Sequence, residues 1–447
     1  MKNLIKNAIF FLMVIPALTL VSCEDDDETK DPVSNTIVDI AVSDANFSIL
    51  VEAVTKAGLV GALSNPTADL TVFAPTNAAF QSLLTELGYA SLDAVPADAL
   101  KNILLYHVIG QKALSSGLTT GYYSSLSPGP AEGLTVSMYI DKAALKINNR
   151  ASITQADIMA DNGVIHVIDK VILPLSVTGH AVANSNFSSL VAAVTKADLA
   201  GALDDASGTY TVFAAVNQAF ADLFTELDVT LDDLTAEALT PILLYHVLGS
   251  VVKASDVASG YVSTLAGAQS RNVSLLIDVT DNGVKLNGAS NVVATDVVAT
   301  NGIIHAIDKV ILPPTVVDIA LANSNFTHLV SAVVRAGLVD ALKADGPFTV
   351  FAPTNDAFEA LFTALGVTDV NGIDVETLTS VLLGHVVSGN VASTALSSGS
   401  VPTLNEGQSL AIVVSSGVTI NGDINVVLAD VQGSNGIVHV IDKVILP

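Results

Sequence analysis

Tryptophan is absent from this chain of 447 residues, cysteine occurs once, and Lys and Arg number 18 against 44 Asp and Glu. Each shortage closes off a class of reading. With aromatics at 5% of the chain, platforms for stacking bases or sugar rings are scarce. A single thiol rules out an internal disulfide framework. A formal charge of −26 would repel a phosphate backbone rather than release its counterions, so nucleic acid is excluded as a partner. The motifs of common chemistries are missing too: no His-Glu-x-x-His for zinc, no Gly-x-Ser-x-Gly elbow, no Gly-x-x-x-x-Gly-Lys phosphate loop and no Asp-x-Asp-x-Asp-Gly calcium loop. The sequence therefore predicts no metal, no cofactor and no enzymatic activity.

What is present begins with an amino-terminal address. Lys2 and Lys6 precede an apolar run from Ala8 to Val21, the layout of a secretory signal too short for a comfortable membrane span. The run ends in Leu20-Val21-Ser22-Cys23, which resembles the lipobox of bacterial lipoproteins. The resemblance implies cleavage of residues 1–22 and acylation of Cys23, an anchor that holds stably because several acyl chains share one residue. Residues 23–35, with Glu24 to Glu28 all acidic, read as a self-repelling extended tether. That segment looks like the acidic export tag of some Gram-negative lipoproteins, implying the outer membrane and the cell surface.

The rest is organised by repetition. Thr71-Val72-Phe73-Ala74-Pro75-Thr76-Asn77 recurs as Thr211 to Asn217 and as Thr349 to Asn355, with Phe73, Phe213 and Phe351 spaced 140 and 138 residues apart. Tyr106-His107-Val108 recurs as Tyr245-His246-Val247 and as Gly384-His385-Val386. A third marker closes each unit: Asn162-Gly163 through Pro174, Asn301-Gly302 through Pro313, and Asn435-Gly436 through Pro447. The order predicts three tandem domains over 36–174, 175–313 and 314–447, joined by linkers so short that neighbouring orientations are restricted.

Within a unit, Phe47, Leu50, Val51 and Val54 predict an opening amphipathic helix stopped at Gly58. Thr71 to Phe73 reads as a buried strand, Asn77 as the N-cap of a following helix, and Leu100, Ile103 and Leu104 as a further helix running into His107. Alternation such as Leu145 to Asn148 then predicts strands, and Asn162-Gly163 a type I′ hairpin turn. Helices first and a mostly antiparallel sheet after give the class α+β. His107, His246 and His385, and likewise His166, His305 and His439, recur within apolar runs and read as buried, hydrogen-bonded residues. His180 and His328 match no other copy and are expected at the surface.

With all three markers in order, each unit resembles the fasciclin domain, over essentially everything beyond the tether. The resemblance implies a wedge-like β-sandwich with a helical cap and a role in cell adhesion or matrix contact. In animal members adhesion has been tied to short Asp-Ile segments and to the Tyr-His region. This points to Asp157 and Ile158, with Asp296-Val297 and Asp430-Val431 as weaker counterparts, and to Tyr106, His107, Tyr245 and His246. Unit two departs from the pattern at Ala215-Val216, and unit three at Gly384. The expected function is surface adhesion through multivalent contacts with extracellular proteins or glycans. The competing readings are a structural envelope protein without a dedicated ligand and an enzyme acting on an extracellular polymer.

Overall fold

A computed structural model describes residues 35–447; the signal segment, Cys23 and nearly all of the acidic tether lie outside the described residues. Three units of one architecture follow one another. In the first, the elements run α1 (Ile37–Ser43), α2 (Ser48–Lys56), α3 (Val60–Leu63), β1 (Leu70–Pro75), α4 (Asn77–Leu87), α5 (Ala97–Tyr106), β2 (Val108–Ile109), β3 (Gly121–Pro128), β4 (Thr135–Asp141), β5 (Lys146–Ile147), β6 (Ala151–Ala160) and β7 (Gly163–Ile168). The strands form one ladder in the order β2-β1-β7-β6-β5-β4-β3, and the other two units repeat it. Only the β1–β7 pair is parallel.

That central pair explains the layering. β1 and β7 are buried along their whole length, as continuous apolar runs must be when both faces are covered. Val72, Ala74, Ile165 and Val167 face the helices, where Phe47, Leu50, Phe80 and Leu104 pack. Phe73 and Ile168 face the other way, into a second core with Met138, Ile140 and Ile147 from the folded-over half of the sheet. Each unit is thus a bent sheet with a helical cap, α+β as expected.

Several local expectations are corrected. The unit opens one helix earlier, with α1, because Thr36 and Asp39 form a capping box; Phe47 belongs to a short 3₁₀ turn before α2. The N-cap of α4 is Thr76, whose hydroxyl accepts from Ala79 N. Asn77 instead caps a different helix: its Oδ1 accepts from Ile49 N at 2.9 Å while its Nδ2 donates to Ala45 O. In unit two Val216 replaces Thr76 and the helix has no side-chain cap, yet Asn217 keeps the same bridge to Ser189 N. The Leu145 to Asn148 alternation yields only the two-residue β5, since Leu145 and Asn148 take positive φ.

Asn162-Gly163 is not the centre of its hairpin either. Asn162 is buried, accepts from Ile37 N at 2.9 Å and donates to Leu63 O at 2.8 Å, so one amide pins α1 and α3 to the sheet. Gly163 begins β7, where a Cβ would fall on the carbonyl oxygen of Leu70 in the neighbouring parallel strand. Asn301 and Asn435 make the same pins to Val177 N and Val316 N, which ties the helix after each linker to the unit that follows it.

A bulged strand and the junction that covers it

The residues singled out in the sequence fall in two places. The first is a bulge in β6. Gln155 pairs with Val167 and Ile158 with Ile165, so Ala156 and Asp157 together oppose His166, and Asp157 adopts φ 63°. An aspartate tolerates this left-handed conformation better than most residues do. Its amide donates to His166 Nδ1 at 3.2 Å. The accepting Nδ1 carries no proton, so Nε2 holds it and donates to Ala113 O at 2.9 Å. The imidazole is a neutral spacer that props the bulge from behind. The same bulge, left-handed aspartate and imidazole recur at Asp296 with His305 and at Asp430 with His439.

The Asp157 carboxylate accepts from Ser115 N at 2.7 Å and from Ser115 Oγ at 2.5 Å, bonds that hold it below the usual carboxylate range. Asp430 is likewise held low: burial pulls it upward, but the paired bonds from Ser393 outweigh that. The aspartate therefore clamps the loop after β2 to the bulge, with its outer face still open to solvent and Ile158 half-buried beside it.

The second place is the core. Tyr106 is fully buried; its hydroxyl donates to Ser137 O at 2.7 Å and accepts from Asn148 Nδ2 at 2.9 Å, and burial pushes its ionisation well up. His107 Nδ1 donates to Ile103 O at 2.7 Å and its Nε2 accepts from Ile172 N at 3.1 Å; desolvation takes its pKa down to about 4. Tyr245 and His246 repeat all four contacts, with Ser274, Asn287, Ile242 and Ile311. These four side chains are closed to direct touch by a partner in this state. In unit three Gln408 occupies the space that Gly384 leaves, and its Oε1 accepts from Asn405 Nδ2 at 2.8 Å.

Sequence reasoning missed the link between the two places. Ser137, which receives the Tyr106 hydroxyl, also accepts through its own Oγ from Val298 N of the next unit at 3.0 Å. Ser274 does the same for Gln432 N at 3.0 Å. At both junctions a tyrosine on β3 or its counterpart enters the following unit: Asn184 Nδ2 donates to Tyr122 Oη and Asn323 Nδ2 to Tyr261 Oη, each at 3.1 Å. The spacing of Tyr122 and Tyr261 was the available signal. His180 lies in this interface, 0% exposed and edge-on to Tyr122 at 5.7 Å, which overturns its expected place at the surface; His328 is half-buried.

The consequence is that the bulge faces differ in access. Val298 and Gln432, two residues past the bulge aspartates of units two and three, are 5% and 1% exposed beneath the preceding unit. Met159, their counterpart in unit one, is 51% exposed, and nothing among the described residues covers it. No described helix is long and apolar enough to cross a membrane.

A sequence profile of the fasciclin domain matches residues 45–174, 185–313 and 324–447. The chain belongs to the fasciclin domain family. Among fasciclin relatives, transforming growth factor-beta-induced protein ig-h3 of Sus scrofa is 29% identical over 431 residues, covering 94% of this chain and 59% of the relative. The chain thus spans about three-fifths of that protein's length. A protein of Synechocystis is 44% identical over 133 residues, 30% of this chain and 73% of its own. A solved fasciclin domain pair from the insect cell adhesion molecule fasciclin I is 19% identical, with a TM-score of 0.36, over 60% of this chain and 97% of that one.

Proposed function

We propose that this fasciclin protein is a lipoprotein, held at the outer membrane by acylated Cys23 and exposed at the cell surface, that binds extracellular proteins or glycans through several weak contacts and catalyses no reaction. The observation that carries the reading is the Asp157 bulge, built three times along the chain and left uncovered in unit one at Asp157 and Met159, with Ile158 half-buried between them. Its geometry is fixed by Ser115 and His166 before any partner arrives, so little ordering entropy is lost on contact. Repetition of one unit with defined junctions raises avidity without a tight single site.

Beads carrying the purified chain should retain whole cells, matrix proteins or polysaccharides, and Met159→Lys, a change at an exposed position, should reduce retention severalfold without altering thermal unfolding. Retention of nothing by the parent chain ends the adhesive reading. A structural envelope role is the second reading, favoured by the hydrogen-bonded junctions, which suit a spacer of fixed length. Shaving of intact cells with protease separates the two: rapid loss of the units fits surface display, and their protection fits an internal scaffold.

A further inference from the structure

Two kinds of hollow recur along the chain. Under each helical cap lies an apolar slot, about 140 Å³ in unit one, 90 Å³ in unit two and 130 Å³ in unit three, walled mainly by aliphatic side chains with one Phe and one His in each. At each junction lies an open cleft of mixed lining, about 950 Å³ between units one and two and 840 Å³ between units two and three. The hollows adjoin: Thr178, Val182 and Ala200 line both the first cleft and the slot of unit two. Val182, on that shared wall, is 63% exposed.

Charge distinguishes the two clefts. In a chain with 18 cationic side chains against 44 acidic ones, Lys146, Arg150 and Lys170 meet on the first cleft, with Asp204 the one acid in its lining. Lys146 and Lys170 have no hydrogen-bond or ion-pair partner among the described residues. Arg150 pairs through Nη2 with Glu86, and its buried Nε has no partner. The Asp204 carboxylate is occupied by the hydroxyls of Ser176 and Thr178. In the second cleft Lys285, Lys309 and Lys343 are balanced by Glu226, Asp278 and Asp318, and Lys343 is bound to Asp318 at 2.8 Å. The slots of units one and two have no charged lining of their own, so the charge beside the slot of unit two comes from the cleft that adjoins it.

We propose that the first cleft and the slot of unit two form one site for a single-chain anionic amphiphile, a fatty-acid carboxylate or an alkyl phosphate. The anionic head sits among Lys146, Arg150 and Lys170, where a cationic cleft between domains concentrates anions. The tail runs over Val182 and its end enters the slot between Val191 and Val194. A dry apolar hollow of roughly 150 Å³ is enough to take a small apolar group, so the slot accepts the last few methylenes while the rim covers the rest. The absence of aromatic lining in the cleft leaves charge and apolar contact as the means of selection. This site is independent of the bulge in unit one.

The test is calorimetric titration of the full chain with decanoate and with decyl phosphate, both below micelle formation. One dominant site is expected, with decyl maltoside (same tail, uncharged head) and acetate (head without tail) each binding at least tenfold more weakly. Lys146→Glu with Lys170→Glu, and separately Val182→Asp, should weaken decanoate at least tenfold. Val42→Asp, in the lining of the unit-one slot, should leave it unchanged. All four positions are exposed or half-buried, and unchanged thermal unfolding shows that each variant folds. Preference for decyl phosphate over decanoate assigns a phosphate head, and the reverse a carboxylate. Equal binding to all three slots, indifference to the lysine pair, or tight binding of an oligouronate with no tail overturns the proposal.

Discussion

The two junctions share one geometry and differ in chemistry. Both place a serine hydroxyl under a backbone amide of the next unit and a tyrosine hydroxyl under an asparagine amide. In the first, the helix residue facing the tyrosine is His180; in the second that position is Ile319, 2% exposed. Neither nitrogen of His180 makes a hydrogen bond, and the backbone of Val298 alone supports its charged form. Conversely Arg271 reaches across the second junction to Asp430 at 3.6 Å, while Leu134 holds the matching position in the first. One interface holds a buried imidazole and the other an ion pair, so the fold specifies where units meet while a few side chains set how each junction responds to pH and salt.

Acid should expose that difference most strongly. Burial takes His180 from its ordinary value near 6.5 down to about 4, so the packed junction holds the ring neutral and the opened junction binds the proton first. Its stabilisation is complete above about pH 6.5, declines as pH falls from 6.5 to 4 and changes no further below that. The loss is on the order of 3 kcal/mol. His107, His246 and His385 follow the same sign inside the three units, so the readout must be local. Distance labels placed across each junction should report opening at the first near pH 5 and none at the second. His180→Ile should abolish the response, and opening of both junctions alike would refute the assignment.

Truncating the tyrosine plugs tests what the junctions share. Tyr122→Ala and Tyr261→Ala each remove a partly buried ring together with the acceptor of an asparagine amide, and each should cost about 2 kcal/mol of junction stability. Small-angle scattering should report a broader ensemble for both variants. A broader ensemble for one alone would mean that the shared geometry is not what holds the units together.

The first and third units extend the comparison. Unit three keeps Ser409 where the junctions use Ser137 and Ser274, but carries Ser400 in place of the tyrosine. Unit one carries Asp44 in place of Asn184; its carboxylate accepts from Asn46 N but has no N–H to donate. Restoring the pair with Ser400→Tyr and Asp44→Asn should produce head-to-tail association that the parent lacks at equal concentration, since such an interface does not close on itself. Sedimentation velocity measures it, and an unchanged distribution would show that the tyrosine pair is not the deciding contact. The smallest effect belongs to Arg271→Ala, which should weaken only the second junction, by about 0.5 kcal/mol, and only at low salt.

Much of a single unit was legible in the sequence because its signals are local. The apolar runs of β1 and β7, the helix spacing of Leu50 and Val54, and the fixed order of three markers each report on residues close in the chain. The asparagines depart from their local reading for the opposite reason. Asn77 and Asn162 look like a cap and a turn when read against their neighbours, yet their amides serve backbone groups 28 and 125 residues away. Asp157 was found from a resemblance, but its left-handed backbone and its tie to Ser115 are properties of strand pairing that no spacing encodes.

The sequence by itself determined that three like units exist, that each is helix-capped sheet, and that no familiar catalytic motif accompanies them, because composition and periodicity are written along the chain. Tertiary structure alone decided which faces remain open. Burial depends on what packs across a junction, and residues such as Met159, Val298 and Gln432, equivalent in strand position, become exposed or hidden according to whether another unit stands in front of them.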